Sequence, residues 1–240
     1  MSGKIKVALC MSGEARSSMF CLPYIYESFI DLGNEYQVDV YIHSWKNFRA
    51  IPLYNPKKFK IDQRAYNELR VKVQESFEFH PYGESVFFYN HNLMYYGIQE
   101  CFNLIDEKYD VYIKCRPDLI FESKAVLGPI FYDIINDKYD LFSLHSVHPT
   151  KVNNGVDDQV YICNYKTMNI ISKYFYLMHE NPKEHVKEYL EYFKGFNAEF
   201  YLSKYLNLNK IRVNHNPLSN YRLVRYVDAT FDGKFNFLDQ

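Results

Sequence analysis

Tyr109-Asp110-Val111-Tyr112-Ile113-Lys114-Cys115-Arg116-Pro117-Asp118, running on into Leu119-Ile120-Phe121, is the stretch on which the fold turns. Its alternating apolar run predicts a strand. Pro117 has no backbone N–H to offer a ladder and ends that strand. A guanidinium (Arg116) and a carboxylate (Asp118) are thereby set two positions apart at the carboxyl end of a central strand. A cation and an anion presented together there suit a phosphate-bearing ligand, with or without a metal ion. The alternative is a structural Arg116–Asp118 pair that pins the strand-to-loop turn.

Working outward, Ile5–Cys10 predicts a buried strand and Val38–His43 a second. Between them, Gly13 pivots a polar loop, Ser17 and Ser18 offer caps, and the spacing predicts a helix over 19–32 that stops at Gly33. Residues 49–60, with Pro52 and Pro56, read as loop. A helix over 68–75, a short strand at 77–79 and a helix over 92–105 precede the Tyr109 strand. Beyond it come a strand at 140–144, an apolar run at 160–163 and helices over 167–179, 183–193 and 197–206, the last capped by Asn197. Short strands near 211–213 and 223–227 close the chain. Strands alternating with helices predict an α/β sheet, largely parallel at its centre.

Ligands of such sheets bind beyond the carboxyl ends of the strands. That topology gathers Ser12, Gly13, Glu14 and Arg16 after the first strand with His43, Ser44 and Trp45 after the second. Arg116 and Asp118 join them after the central strand, and His145 after the next. Gly13 lets backbone approach an anion, and Arg16 at a helix start either grips phosphate or is a surface arginine. Asp118 can ligate Mg²⁺ or Mn²⁺ held by a diphosphate. Of Asp157 and Asp158, Asp158 is the preferred general base, against the plain reading of turn aspartates. Glu199 and His215 read as structural, and Arg222 and Arg225 either clamp phosphate or are solvated.

With 240 residues the chain is expected to form one domain over 1–240. A net charge of −1 supplies no field for nucleic acid or an anionic membrane. No apolar run approaches the ~20 residues of a membrane span, and the chain is expected in the cytoplasm. Five scattered cysteines with no C-x-x-C pair predict reduced, buried thiols. The 24 Tyr and 19 Phe either fill the core or line a sugar groove, and the core reading carries more weight.

With these residues laid out, the chain resembles a glycosyltransferase-like family related to WavE-type lipopolysaccharide-synthesis proteins, with members in bacteria and large DNA viruses. The matching pieces are Val7–Arg16, Val38–Trp45, Asn92–Ile98, Tyr109–Asp118, Asp157–Gln159, Asn197–Glu199 and Tyr221–Arg225. The resemblance implies a GT-A-like, Rossmann-type, mostly parallel sheet flanked by helices, with a helical C-terminal part. It also implies transfer of a sugar from a nucleotide-diphosphate donor to a hydroxyl of a glycan acceptor, in the host cytoplasm for a viral member. Donor contacts then fall to Ser12, Gly13, Arg16, His43, Arg116 and Asp118, and a Mn²⁺ or Mg²⁺ ion to Asp118. The family's D-x-D reads Arg116-Pro117-Asp118 here, so Lys114 and Arg116 are placed to carry part of the charge compensation. The alternatives are a non-catalytic nucleotide- or sugar-binding module, and a nucleotidyl- or phosphotransferase using the same edge.

Overall fold

The computed structural model describes residues 3–13, 17–46, 49–63, 68, 86–121, 126–143, 156–174, 198–215 and 221–223. Within them lie the strands β1 (Ile5–Ser12), β2 (Tyr36–Ser44), β3 (Lys58–Ile61), β4 (Val111–Cys115), β5 (Leu119–Phe121), β6 (Leu141–Ser143), β7 (Tyr161–Cys163), β8 (Val213–Asn214) and β9 (Tyr221–Leu223). The described helices are α1 (Ser18–Ile25), α2 (Val86–Asn103), α3 (Gly128–Ile135), α4 (Tyr165–Ser172) and α5 (Ala198–Leu208). Seven strands form one sheet in the order β3-β2-β1-β4-β7-β6-β8, while β5 and β9 pair antiparallel beside it. β3, β2, β1 and β4 are parallel; β7 runs against both β4 and β6.

Two cores follow from the period of two along each strand. Val7, Leu9 and Met11 of β1 share one face with Val40 and Ile42 of β2 and Val111 and Ile113 of β4. Cys21 and Ile25 of α1 and Phe131 and Ile134 of α3 cover it. Ala8, Cys10, Tyr41 and Tyr112 point the other way, under Tyr95 and Ile98 of α2, Met168 of α4 and Leu202 of α5. Both faces of β1 are covered, which is why it reads as a nearly continuous apolar run. The aromatics serve this packing: Tyr41, Tyr95, Tyr112, Tyr161 and Phe29 are among the largest fully buried side chains. All five cysteines are buried and unbridged. Among the described residues no helix is long and apolar enough to cross a membrane.

Three local expectations need correction. The helix expected over 19–32 is α-helical only to Ile25 and then widens into a π-helix over Tyr26–Ile30, where Asp31 N–H donates to the Tyr26 carbonyl at 2.8 Å. Pro23 inside α1 removes one helical donor just before that change of winding. The expected loop over 49–60 holds a 3-10 turn at Ile51–Tyr54 and most of β3, an edge strand whose Phe59 and Ile61 are exposed. α3, which follows Leu127 with Pro129 in its first turn, corresponds to no expected element. The strand expected at 77–79 and the helix over 183–193 lie outside the described residues, as does all of the helix over 68–75 except Glu68.

Candidate active site

The parallel strands end at one edge, and the register there can be followed residue by residue. Ser12 pairs with His43, and Met11 with Cys115, so Ser12-Gly13 and Arg116-Pro117 leave the sheet side by side. Gly13 holds φ +136°, a region that favours glycine, and a Cβ on it would lie 3.7 Å from Pro117 Cδ and 3.9 Å from Arg116 Cγ. The Ser44 hydroxyl donates to the Lys46 carbonyl at 2.8 Å and lies 3.5 Å from the Gly13 carbonyl. The convergence expected from topology is therefore present for Ser12, Gly13, His43, Ser44, Arg116 and Asp118. Glu14, Arg16, His145 and Arg225 lie outside the described residues.

Because β7 is antiparallel to β4, its amino end reaches the same edge and carries Asp157 and Asp158 there. A set of hydrogen bonds holds this strap. Ser143 Oγ accepts from Asp157 N–H at 2.9 Å, and Ser203 Oγ on α5 accepts from Val156 N–H at 2.6 Å. The Asp157 carboxylate accepts from Gln159 N–H at 2.8 Å, and the Asp158 carboxylate from the Gln159 side-chain amide. Beneath it, Lys114 Nζ donates to the carbonyls of Asp158 and Gln159. Ser143, Ser203 and the buried position of Lys114 were not singled out from the sequence. Only Lys114 gave a signal, as a charge in an otherwise apolar strand.

Asp118 is fully buried, and Arg116 grips it with two bonds: Nε to Oδ1 at 2.8 Å and Nη2 to Oδ2 at 2.7 Å. This is the structural pairing weighed above, and a cation ligated by Asp118 would have to reach a fully buried carboxylate that already shares both oxygens with a guanidinium. Nor do three groups among His, Cys, Asp and Glu come together to hold a metal ion among the described residues. As described, the residues do not fit a metal centre.

His43 lies inside the edge. Its ring meets Trp45 and Tyr96 edge-on, with centroids 5.0 and 5.9 Å away, and a Cβ on Gly97 of α2 would sit 3.3 Å from its Nδ1. Neither ring nitrogen nor Ser12 Oγ has a hydrogen-bond partner among the described residues. Burial pushes the imidazole pKa down to about 4, although the Asp62 carboxylate 3.8 Å from Nε2 opposes this. His43 is thus neutral in the folded protein at pH 7. We expect Gly97→Leu to force His43 and Ser12 aside and to cost about 1–3 kcal/mol by overpacking, read as a fall in urea midpoint at unchanged m.

The same burial sets an acid limb. A histidine whose folded pKa lies below its unfolded value binds its proton more readily when unfolded, so its destabilising effect grows as pH falls from 6.5 to about 4. That histidine contributes about 2–3 kcal/mol over the window. Asp140 acts lower down. Hydrogen bonds from Arg212, at 2.9 Å from both N–H and Nε, hold its pKa near 2, so its support is lost as pH falls from about 4 to 2. Urea titrations at pH 7, 5, 4 and 3 check this, and His43→Leu is expected to flatten the segment between pH 6.5 and 4.

Glu199 sits in the first turn of α5, its carbonyl accepting from Ser203 Oγ, and His215 is exposed after β8. Arg222 lies on β9 opposite Ile120, which brings its backbone beside the segment that follows Asp118.

No protein-family profile and no curated protein matches this chain. Solved structures do. Mouse xyloside xylosyltransferase 1 in its apo form matches with a TM-score of 0.52 at 10% identity, over 90% of this chain and 85% of that one. Core-mannan synthase A (CmsA/Ktr4) from Aspergillus fumigatus, in a Mn/GDP form, matches with a TM-score of 0.51 at 9% identity, over 93% and 75%. The fold is that of the GT-A glycosyltransferases. Ligands of open α/β sheets bind beyond the carboxyl ends of the strands, and Gly13, Arg116 and the Asp157–Asp158 strap stand at that edge here.

Proposed function

We propose that the chain is a glycosyltransferase of the WavE-related group that moves a sugar from a nucleotide-diphosphate donor to a hydroxyl of a glycan acceptor. One observation carries the reading. At the carboxyl edge of a GT-A sheet, a glycine at φ +136° packs against Arg116 and Pro117, and two carboxylates stand on a strap anchored at the same edge. The Mn/GDP form of the Aspergillus protein supports a nucleoside diphosphate as the ligand.

In this reading Ser12, Gly13 and Arg16 meet the diphosphate, and Arg116 faces the charge that grows on the departing phosphate oxygen. In an inverting transfer, the case that calls for a base at Asp158, the acceptor oxygen attacks C1 from the side opposite that oxygen. The C1–O bond to phosphate breaks as the new C1–O bond forms, and Asp158 takes the hydroxyl proton. His43 supports the edge from within. Charge compensation falls to Arg116; Lys114, expected to share it, is fully buried with its ammonium on the Asp158 and Gln159 carbonyls.

A thermal-shift panel of UDP-, GDP-, CMP- and dTDP-sugars, each with and without Mn²⁺, tests this. A ligand of the folded state raises the melting temperature by mass action. One nucleotide family is expected to stabilise the protein, with the shift retained when Mn²⁺ is omitted. No shift with any of them would reject the donor assignment.

A further inference from the structure

Lys114 is fully buried in β4, in register with Cys10 of β1 and Tyr161 of β7. Its face of the sheet is otherwise built from Ala8, Cys10, Tyr112 and Tyr161. An ammonium there is costly unless it is partnered, and an apolar side chain of similar volume would pack without that cost. Its partners are specific. Nζ donates to two successive carbonyls, those of Asp158 and Gln159, the latter at 2.9 Å, and lies 5.9 Å from the Tyr161 ring centre. Burial brings the amine pKa down to about 8, against the pull of the Asp158 carboxylate. A compact cation with rotatable donors can gather two neighbouring carbonyls to one point; no apolar side chain can.

We propose that Lys114 is the positioning residue of the Asp157–Gln159 strap, a buried clamp that fixes the backbone carrying the two carboxylates at the edge of the sheet. Its role in catalysis rests on the transferase reading given above; the clamp itself does not. Asp157 N–H on Ser143 and Val156 N–H on Ser203 tie the strap from β6 and α5. Lys114 ties it from β4, the strand that also presents Arg116. One strand thus sets the spacing between the guanidinium and the carboxylates.

The test compares Lys114→Met and Lys114→Leu with the wild-type chain by amide hydrogen exchange, thermal unfolding and turnover of whichever nucleotide sugar stabilises the wild type. Both variants are expected to fold cooperatively. Exchange at the Asp157 and Gln159 amides is expected to rise by about tenfold or more while the Leu9 and Ile113 amides keep their protection. In turnover, kcat is expected to fall about 100-fold with the donor KM within about threefold.

Unchanged exchange at Asp157 and Gln159 would overturn the clamp, as would an equal rise across β1 and β4 or global unfolding of both variants. A loosened strap with wild-type kcat would overturn the positioning role. If the wild type turns over no nucleotide sugar, the transferase reading fails on its own, and the exchange pattern still decides the clamp.

Discussion

Arg116→Met is expected to lower the unfolding free energy by about 3 kcal/mol, the low end of the range for stranding one member of a buried ion pair. Asp118 is fully buried, and its two oxygens rest on Arg116 Nε and Nη2. Removing the guanidinium leaves a carboxylate that must either stay charged without a partner or take up a proton, and both routes cost stability. The low end applies because the arginine side chain is itself 17% exposed, so water screens part of the lost attraction. For a chain of this length the expected fall in melting temperature is about 6–12 °C. The double variant Arg116→Met/Asp118→Leu removes both charges and is expected to regain most of the loss. A single variant as stable as the wild type would show that the pair does not hold this turn. The donor-induced thermal shift is expected to vanish in both variants, separating the arginine's effect on ligand from its effect on the fold.

Asp158→Asn is the second large effect. Asparagine keeps the volume and can still meet the Gln159 side-chain amide that contacts Asp158, but it cannot accept a proton from the acceptor hydroxyl. We expect kcat to fall by about 10²–10⁴-fold, the usual worth of a positioned general base. Donor affinity, measured calorimetrically with the nucleotide sugar that stabilises the wild type, is expected to stay within about threefold. A variant that loses donor binding along with turnover would move Asp158 from proton acceptor to donor contact. The same measurements on Asp157→Ala give the contrast: the Asp157 carboxylate accepts from Gln159 N–H and alanine offers no acceptor, so the loss is expected to show partly as instability of the strap.

Much of this edge is legible in the sequence. The Tyr109–Asp118 segment announces a central strand because both of its faces are apolar and a proline closes it. The placement of Ser12, Gly13, His43 and Arg116 then follows from how parallel strands end. Other parts were not legible, for physical reasons. β3 is half-exposed, with Lys58 and Lys60 alternating with Phe59 and Ile61, so its apolar signal is thin and a proline precedes it. The change of winding at Tyr26 follows Pro23, and an apolar spacing read at 3.6 residues per turn does not distinguish it from a continuing α-helix.

The state of Asp118 was legible only as a choice, ligand or ion-pair partner, because spacing alone cannot say whether Arg116 folds back on it. Lys114 posed the opposite difficulty. Its charge was visible, but its carbonyl partners lie 44 and 45 residues away and arrive only through the antiparallel pairing of β4 with β7.

The most direct test of the central claim follows phosphorus. The purified chain is incubated with the stabilising nucleotide sugar and a set of glycan acceptors, and the products are resolved by ³¹P NMR. Release of nucleoside diphosphate in step with sugar transferred to the acceptor is the expected result. Release of pyrophosphate or orthophosphate, or a donor that binds and stays intact with every acceptor, would contradict the account.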